Sequence, residues 1–501
     1  MTNANEKPVA VIGGGPAGLT SAYWLTGKGR PVAVFEADTQ VGGISRTVEY
    51  KGFRFDIGGH RFFTKVKAVN DLWHQVLGPQ LLKRPRLSRI YYNGKFFDYP
   101  LRAMNALFGL GLFNALLVMA SYVWVRIHPI RPEVSVEDWV SNRFGRRLYR
   151  IFFKTYTEKV WGIPCSELGA QWAAQRIRGL SLRVAIMDAL FGRFKRDKGK
   201  VKTLIDQFEY PRLGPGMMWE AFQQELEKRG TPVELQTRVR TILHEDGHVT
   251  AVDLAHGGSV RRLDVSAVIS TMPLRELIRA LSPAPPAHVL EAADRLRYRD
   301  FFTVALIIDQ PDLFPDNWIY VHDPAVKLGR IQNFKNWSPD LVPNPQQTCL
   351  GLEYFCFEGD GLWTMSDKEL VELGRRELAA IRLADPSKVV DGAVVRQPKA
   401  YPIYDEGFMQ ALDVVREYLI TFDNLQVAGR NGMHKYNNQD HSMVTAILAA
   451  RNILGASHNV WDVNSDEDYH EEGHLSAEDF EVNLQELAAS QPMVPDVVRR
   501  P

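Results

Sequence analysis

Gly13, Gly15 and Gly18, in the run Gly13-Gly14-Gly15-Pro16-Ala17-Gly18, have the spacing of a loop that cradles a diphosphate. They follow a short apolar run, Val9–Ile12, and lead into the helix-like stretch LTSAYWLTGKG. A second apolar run, Pro31–Phe35, ends in Glu36. The order is strand, glycine turn, helix, strand, acid. In such a unit the first glycine makes a tight turn, the second leaves room for a diphosphate, and the third lets helix and strand approach. Pro16 and Ala17 open the helix, whose free N–H groups and positive dipole end face the anion. Glu36 is placed to accept a hydrogen bond from a ribose hydroxyl. The pattern predicts a Rossmann-like domain and leaves open which dinucleotide it holds.

The next segment, Gly42-Gly43-Ile44-Ser45-Arg46-Thr47, resembles the second glycine motif of the flavin amine oxidase superfamily, and that resemblance implies FAD. Physically, Gly42 and Gly43 let backbone approach a cofactor, and Arg46 is suited to neutralise phosphate charge. Phe55-Asp56-Ile57-Gly58-Gly59-His60 again puts glycines where a flat ring would need close backbone contact.

These residues need a sheet behind them, and later stretches read as returns to it. Val233–Leu243 and Val249–Leu254 form an expected strand pair around His244–His248, with Val239 on its first strand. Val268–Thr271 reads as a closing strand, and Leu425–Arg430 as a strand-to-glycine junction containing Gly429 and Arg430. A helix is expected from about Asp440 to Leu454, with Met443, Ile447, Leu448 and Ile453 at helical spacing. Its start, with Asp440 and Ser442, would aim a positive dipole end at the flavin ring. The expected fold is therefore α/β. Segments 1–80, 201–274 and 401–460 build the FAD-binding domain. Residues 81–200 form a helical substrate insertion, 275–400 a substrate-binding sheet region with antiparallel strands, and 461–501 an acidic tail.

The net charge of +1 over 501 residues argues against a nucleic-acid binder. Three cysteines, Cys165, Cys349 and Cys356, make neither a disulfide framework nor a zinc-type pair, and fit a reducing cytoplasm. No metal is expected. The N-terminus lacks the charged start and apolar run of a signal peptide, so a cytoplasmic location is expected. Ala103–Val125 carries no charge and is long enough to span a bilayer. Gly109 and Gly111 could break it, and buried core helices are the first expectation. A patch lying on the inner membrane face is the second and a true span the third. Arg126, Arg131, Arg146 and Arg147 nearby suit either an anionic surface or solvent.

Scattered islands between residues 8 and 455 are similar to UDP-galactopyranose mutases, particularly their eukaryotic branch. Gly58-Gly59-His60-Arg61-Phe62-Phe63-Thr64 is similar to that family's Gly-Pro-His segment, with Gly59 in place of the proline. Tyr156–Trp161, Ala174-Gln175-Arg176, Tyr210-Pro211, Gly214–Trp219, Gly329–Phe334 with Ser338-Pro339, and Tyr401-Pro402 resemble its substrate segments. Gly429-Arg430, Tyr436 and Asn438–Ser442 are similar to its closing motif. The apolar stretch 103–125 departs from the family, and no uridine pocket is identified.

The resemblance implies a pyranose/furanose mutase acting on a nucleotide sugar through an adduct between reduced flavin N5 and the sugar. Arg176 and Arg330 would clamp the diphosphate, while Tyr156, Tyr401 and Tyr436 would donate to it. His60 and Gly59 would lie at the flavin. NAD(P)H would supply electrons, although no second dinucleotide fingerprint is present. Plainer readings remain open: ion-pair arginines, packed tyrosines and a core histidine. So do two other functions, an amine oxidase or protoporphyrinogen oxidase type of oxidoreductase acting on an apolar or lipid-linked substrate, and a non-catalytic flavin binder.

Overall fold

The computed structural model describes residues 6–99, 101, 103–170 and 207–463. Its centre is a five-stranded parallel sheet in the order Leu425–Val427, Ala267–Ser270, Val9–Ile12, Val32–Phe35, Val233–Glu234. Val9–Ile12 and Ala267–Ser270 are buried at every position, as central parallel strands covered on both faces must be. Helix Pro16–Gly27 packs against Gln439–Ile453 and Gly216–Lys228, so the first glycine unit and the closing motif share one core. The expected Rossmann-like α/β fold is therefore present.

The expected strand pair is a hairpin, Arg238–Glu245 with His248–His256, extended by Ser259–Asp264. Helices Leu274–Ala280 and Ala287–Arg295 bury Leu277, Ile278, Val289 and Ala293 in the same core as the parallel sheet. Residues 274–296 thus side with the dinucleotide unit, and the second sheet begins at Tyr298.

That second sheet has seven strands, in the order Val389–Pro402, Tyr298–Ile308, Thr348–Cys356, Arg330–Asn333, Trp318–Val321, Ser88–Tyr92, Lys95–Asp98. All pairings are antiparallel except Trp318–Val321 with Ser88–Tyr92. Its last two strands come from the stretch expected to be a helical insertion. The signal was Asn93-Gly94, where both residues take positive φ, as a two-residue hairpin turn of the primed type requires.

Also in that insertion, Leu81–Pro85 is a strand paired antiparallel with Gln207–Pro211. Its described helices are Ala103–Leu110, Leu112–Ile127, Val136–Phe144, Arg146–Leu148 and Thr155–Trp161, with a π-helical turn over Tyr149–Lys154. Gly111, at φ +83°, divides the apolar stretch, and no helix among the described residues is long and apolar enough to cross a membrane. The first expectation for this stretch, buried core helices, is corrected by half: one face is buried and the other lies open to solvent. Arg176 and residues 464–501 of the acidic tail lie outside the described residues.

Candidate functional site

The three glycines of the first turn do different work. A Cβ on Gly13, which sits at φ +105°, would lie 2.1 Å from Thr271 Oγ1, and one on Gly18 would lie 1.8 Å from the Gly13 carbonyl oxygen. Both positions are closed by the protein's own packing. A Cβ on Gly15 would meet nothing nearer than Gly43 Cα, at 3.8 Å. The fold itself therefore does not require glycine at position 15, where an added methyl would make only ordinary contact with the Gly43 backbone. Gly15 lies at the start of helix Pro16–Gly27, where unpaired N–H groups favour an anion. The donor set fits an FAD diphosphate.

Glu36 Oε2 accepts from the Gly14 N–H at 2.6 Å, and its Oε1 accepts from the Asp38 N–H at 2.8 Å. These bonds pin the carboxylate at the turn. Arg46 donates to the Gly43 carbonyl at 3.0 Å and lies 3.4 Å from Asp38, so it braces the second glycine loop. Burial lowers its pKa, with Asp38 and Glu36 acting in the opposite direction. Val239 is buried in the core beneath the parallel sheet. Gly429, at φ +80°, donates its N–H to Thr445 Oγ1 at 3.0 Å, and a Cβ there would lie 2.9 Å from the Cβ of Ala17. Asp440 and Ser442 are buried in the first turn of Gln439–Ile453, and the Asn438 N–H donates to His441 Nδ1 at 3.2 Å.

Beyond the cradle, His60, Tyr156, Arg330, Tyr401, Arg430 and Tyr436 converge. Arg330 donates to the Tyr401 hydroxyl at 2.9 Å. The Tyr401 and Tyr436 rings stack 5.8 Å apart at 12°, and the Arg430 guanidinium carbon lies 5.5 and 4.8 Å from their centroids. Arg430 is fixed by donating to the carbonyls of Asn437 and Ala400, both at 3.0 Å. Burial, followed by the charges of Arg430 and Arg330, drives the His60 pKa down to about 3. His60 is therefore a neutral imidazole at ordinary pH, and its Nδ1 has no hydrogen-bond partner.

Tyr156 is set by several restraints on one short helix. Its ring stacks on His322 at 4.7 Å and meets Tyr320 edge-on at 5.5 Å. Arg299 donates to the carbonyls of Val160 and Lys159, and Gly162 closes the helix at φ +69°. Lys159 Nζ donates to three carbonyls, of Val321, Asp323 and Leu328, which ties the helix to the second sheet. Burial lowers the Lys159 pKa to about 8, although Glu377 and Asp323 oppose the shift. The π-helical turn just before it, Tyr149–Lys154, is a device often found at functional sites.

Sequence reasoning missed the acid that faces Arg330. Glu353 is fully buried and lies 2.6 Å from the guanidinium, and its other oxygen accepts from Gln332 Nε2 at 2.7 Å. Burial opposes the Arg330 charge, but Glu353 and then Tyr401 and Tyr156 raise its pKa well above the usual value. The signal was available, since Glu353 is the one charge in the otherwise uncharged strand TCLGLEYFC. A second buried acid, Asp56, accepts from the Tyr210 hydroxyl at 2.7 Å, and burial raises its pKa well above the usual carboxylate range. Among the described residues no cluster of His, Cys, Asp or Glu could hold a metal ion.

The sequence model of the family described as "Flavin containing amine oxidoreductase" matches residues 16–454. The chain belongs to this family. It is accordingly an FAD-dependent enzyme of the flavin amine oxidase superfamily. Curated relatives match over short stretches. An L-amino-acid oxidase of Crotalus adamanteus is 41% identical over 68 residues, 14% of this chain and 13% of that one. A carotenoid 3,4-desaturase of Haloarcula japonica is 40% identical over 58 residues, 12% of each. The matched stretch is thus a small part of those proteins. A structure of reduced UDP-galactopyranose mutase superposes with a TM-score of 0.78 at 22% identity, covering 92% of this chain and 96% of that one. A putative protoporphyrinogen oxidase from Exiguobacterium sp. 255-15 superposes at 0.67 with 19% identity, covering 90% and 99%. At these identities the likeness concerns the fold.

Proposed function

We propose that the protein is a pyranose/furanose mutase acting on a sugar joined to a diphosphate, in the first instance a nucleotide sugar. The observation that carries this reading is the contact of Arg330 with the Tyr401 hydroxyl, in a group that also contains Tyr156, Tyr436 and Arg430. Two guanidiniums and several phenols suit a leaving group that must be held while it is detached, because such donors make short charge-assisted bonds to phosphate oxygens. An apolar substrate would be better served by apolar walls.

In this reading Arg330 and Arg430 supply positive charge to the diphosphate, and Tyr156, Tyr401 and Tyr436 orient it. Arg176 is the proposed second arm of the clamp. Neutral His60 lies beside the glycine pair Gly58-Gly59, where its unfilled Nδ1 is free to make a hydrogen bond to the bound cofactor. Gly15, Gly43 and the start of helix Pro16–Gly27 hold the cofactor diphosphate, and Glu36 holds the ribose. Reduced FAD supplies a nucleophilic N5 when bound, and NAD(P)H is the proposed source of its electrons.

One observation favours a second reading. Glu353 already cancels the Arg330 charge, which weakens the pull on a phosphate and suits an oxidoreductase acting on an apolar or lipid-linked substrate. The test is to reduce the holoenzyme anaerobically with dithionite, offer a panel of nucleotide sugars, and separate pyranose from furanose forms by chromatography. Interconversion that is lost in Arg330→Ala supports the mutase. No interconversion, with oxygen or acceptor turnover on amines or isoprenoids instead, moves the assignment to the oxidoreductase.

A further inference from the structure

The outward face of the helical layer is apolar where a water-facing helix would be polar. Helix Leu112–Ile127 buries Val118 and Val125 on one side. On the other it exposes Leu112, Phe113, Leu116, Val123, Trp124 and Ile127, each with more than half its surface in solvent. Phe108, on the preceding helix, adds 76% exposure to the same hairpin. An apolar face of this extent on a monomer marks a surface that something covers.

Charge indicates what covers it. Between Tyr99 and Pro132 the chain has no Asp or Glu. Arg126, Arg146 and Arg150 are exposed, and none has a carboxylate partner among the described residues. Arg147 is held by Asn114 Oδ1, and its Nε has no partner. Arg146, Arg147 and Arg150 also line a cavity of about 660 Å3 whose other wall includes Leu117 and Trp124. Cations are thus set beside an apolar strip, with no acid on the strip itself.

We infer that this face docks on an anionic phospholipid bilayer. The hairpin lies in the plane of the interface with its exposed aromatic and aliphatic side chains at the acyl boundary, and Arg146 and Arg150 meet lipid phosphates. A second copy of the chain fits less well, because a two-fold contact would set the same unpaired arginines against one another. Residues 171–206 fit no better, being themselves rich in Lys and Arg. The buried side of the hairpin shares a core with Phe152 and Trp161 and packs towards Tyr401, so docking holds the candidate site beside the membrane surface. The inference is independent of which reaction that site performs.

The test is co-sedimentation of the full-length holoprotein with vesicles of phosphatidylcholine alone or mixed with phosphatidylglycerol. Binding is expected to be stronger to the anionic vesicles and to weaken with salt. Leu116→Glu and Trp124→Glu should each lower it by about tenfold or more. Arg146→Glu combined with Arg150→Glu should lower it by about tenfold and flatten the salt dependence. These side chains are exposed, so flavin content and circular dichroism should stay unchanged and serve as the folding control. Three results would overturn the inference: no binding to either vesicle, binding unaltered in all the variants, or a concentration-dependent dimer that Leu116→Glu dissociates. Nucleotide-sugar turnover is assayed without vesicles, so failure here is distinguishable from failure of the mutase reading.

Discussion

Glu353→Gln tests the energetic centre of the site. Glu353 is fully buried, and Arg330 keeps a fifth of its side-chain surface exposed. Removing one partner of a buried pair costs about 3–5 kcal/mol, because the other charge is left uncompensated. The partial exposure of Arg330 puts the expectation near the lower end, about 3 kcal/mol. Glutamine keeps an oxygen to accept from Gln332, so the loss isolates the charge. Unfolding entropy near 2.1 cal/mol/K per residue over 501 residues gives about 1 kcal/mol per kelvin, so Tm should fall by about 3 °C. The double variant Arg330→Gln/Glu353→Gln should recover most of that, leaving about 1 kcal/mol, because removing both partners leaves no buried charge. Differential scanning calorimetry on flavin-loaded Glu353→Gln, Arg330→Gln and the double variant measures all three. A fall below about 1 °C in the single variant, or a double variant as unstable as the sum of the singles, refutes the reasoning. The same single variant frees the guanidinium, so under the mutase reading it should bind UDP more tightly than wild type, and Arg330→Gln more weakly.

The two open glycine questions separate cleanly. Gly15→Ala should lose flavin absorbance per protein while leaving apoprotein Tm within about 1 °C, because its Cβ meets no backbone closer than 3.8 Å. Gly18→Ala drives a methyl into the Gly13 carbonyl and should cost about 3 kcal/mol or more, visible as poor soluble yield or a lower Tm. Tyr401→Phe removes the hydroxyl that accepts from Arg330, and should raise KM for the diphosphate substrate more than it lowers Tm, which steady-state kinetics and calorimetry would report. Acid should destabilise the fold through His322 and His434, whose pKa values burial lowers to about 3 and about 4. Unfolded histidine titrates near 6.5, so each contributes stability above that pH and loses up to about 1.4 kcal/mol per pH unit below it. A Tm that stays flat from about pH 6.5 to 4.5 would contradict this.

The cofactor half was legible because its signals are local. Gly13, Gly15, Gly18 and Glu36 lie within one strand-turn-helix-strand unit, and their spacing is dictated by the turn itself. The Asn93-Gly94 turn was equally local and was overlooked, which is why two strands were taken into a helical insertion. The polar cluster has no such signal. Arg330, Glu353 and Tyr401 sit on three different strands, and Tyr156 on a helix from another part of the chain. Resemblance pointed to Arg330 and Tyr401 but not to the acid that pairs with them.

The glycine spacing, the apolar periodicity of Gln439–Ile453 and the break at Gly111 follow from backbone sterics and helical period, which act over a few residues, and the sequence alone determined them. Tertiary structure decided whether Arg330 stands free or paired, whether His60 is charged, and which face of Leu112–Ile127 meets solvent. Each of those depends on what is packed within a few ångströms from distant parts of the chain, where burial and neighbouring charge set the energy of every ionised group.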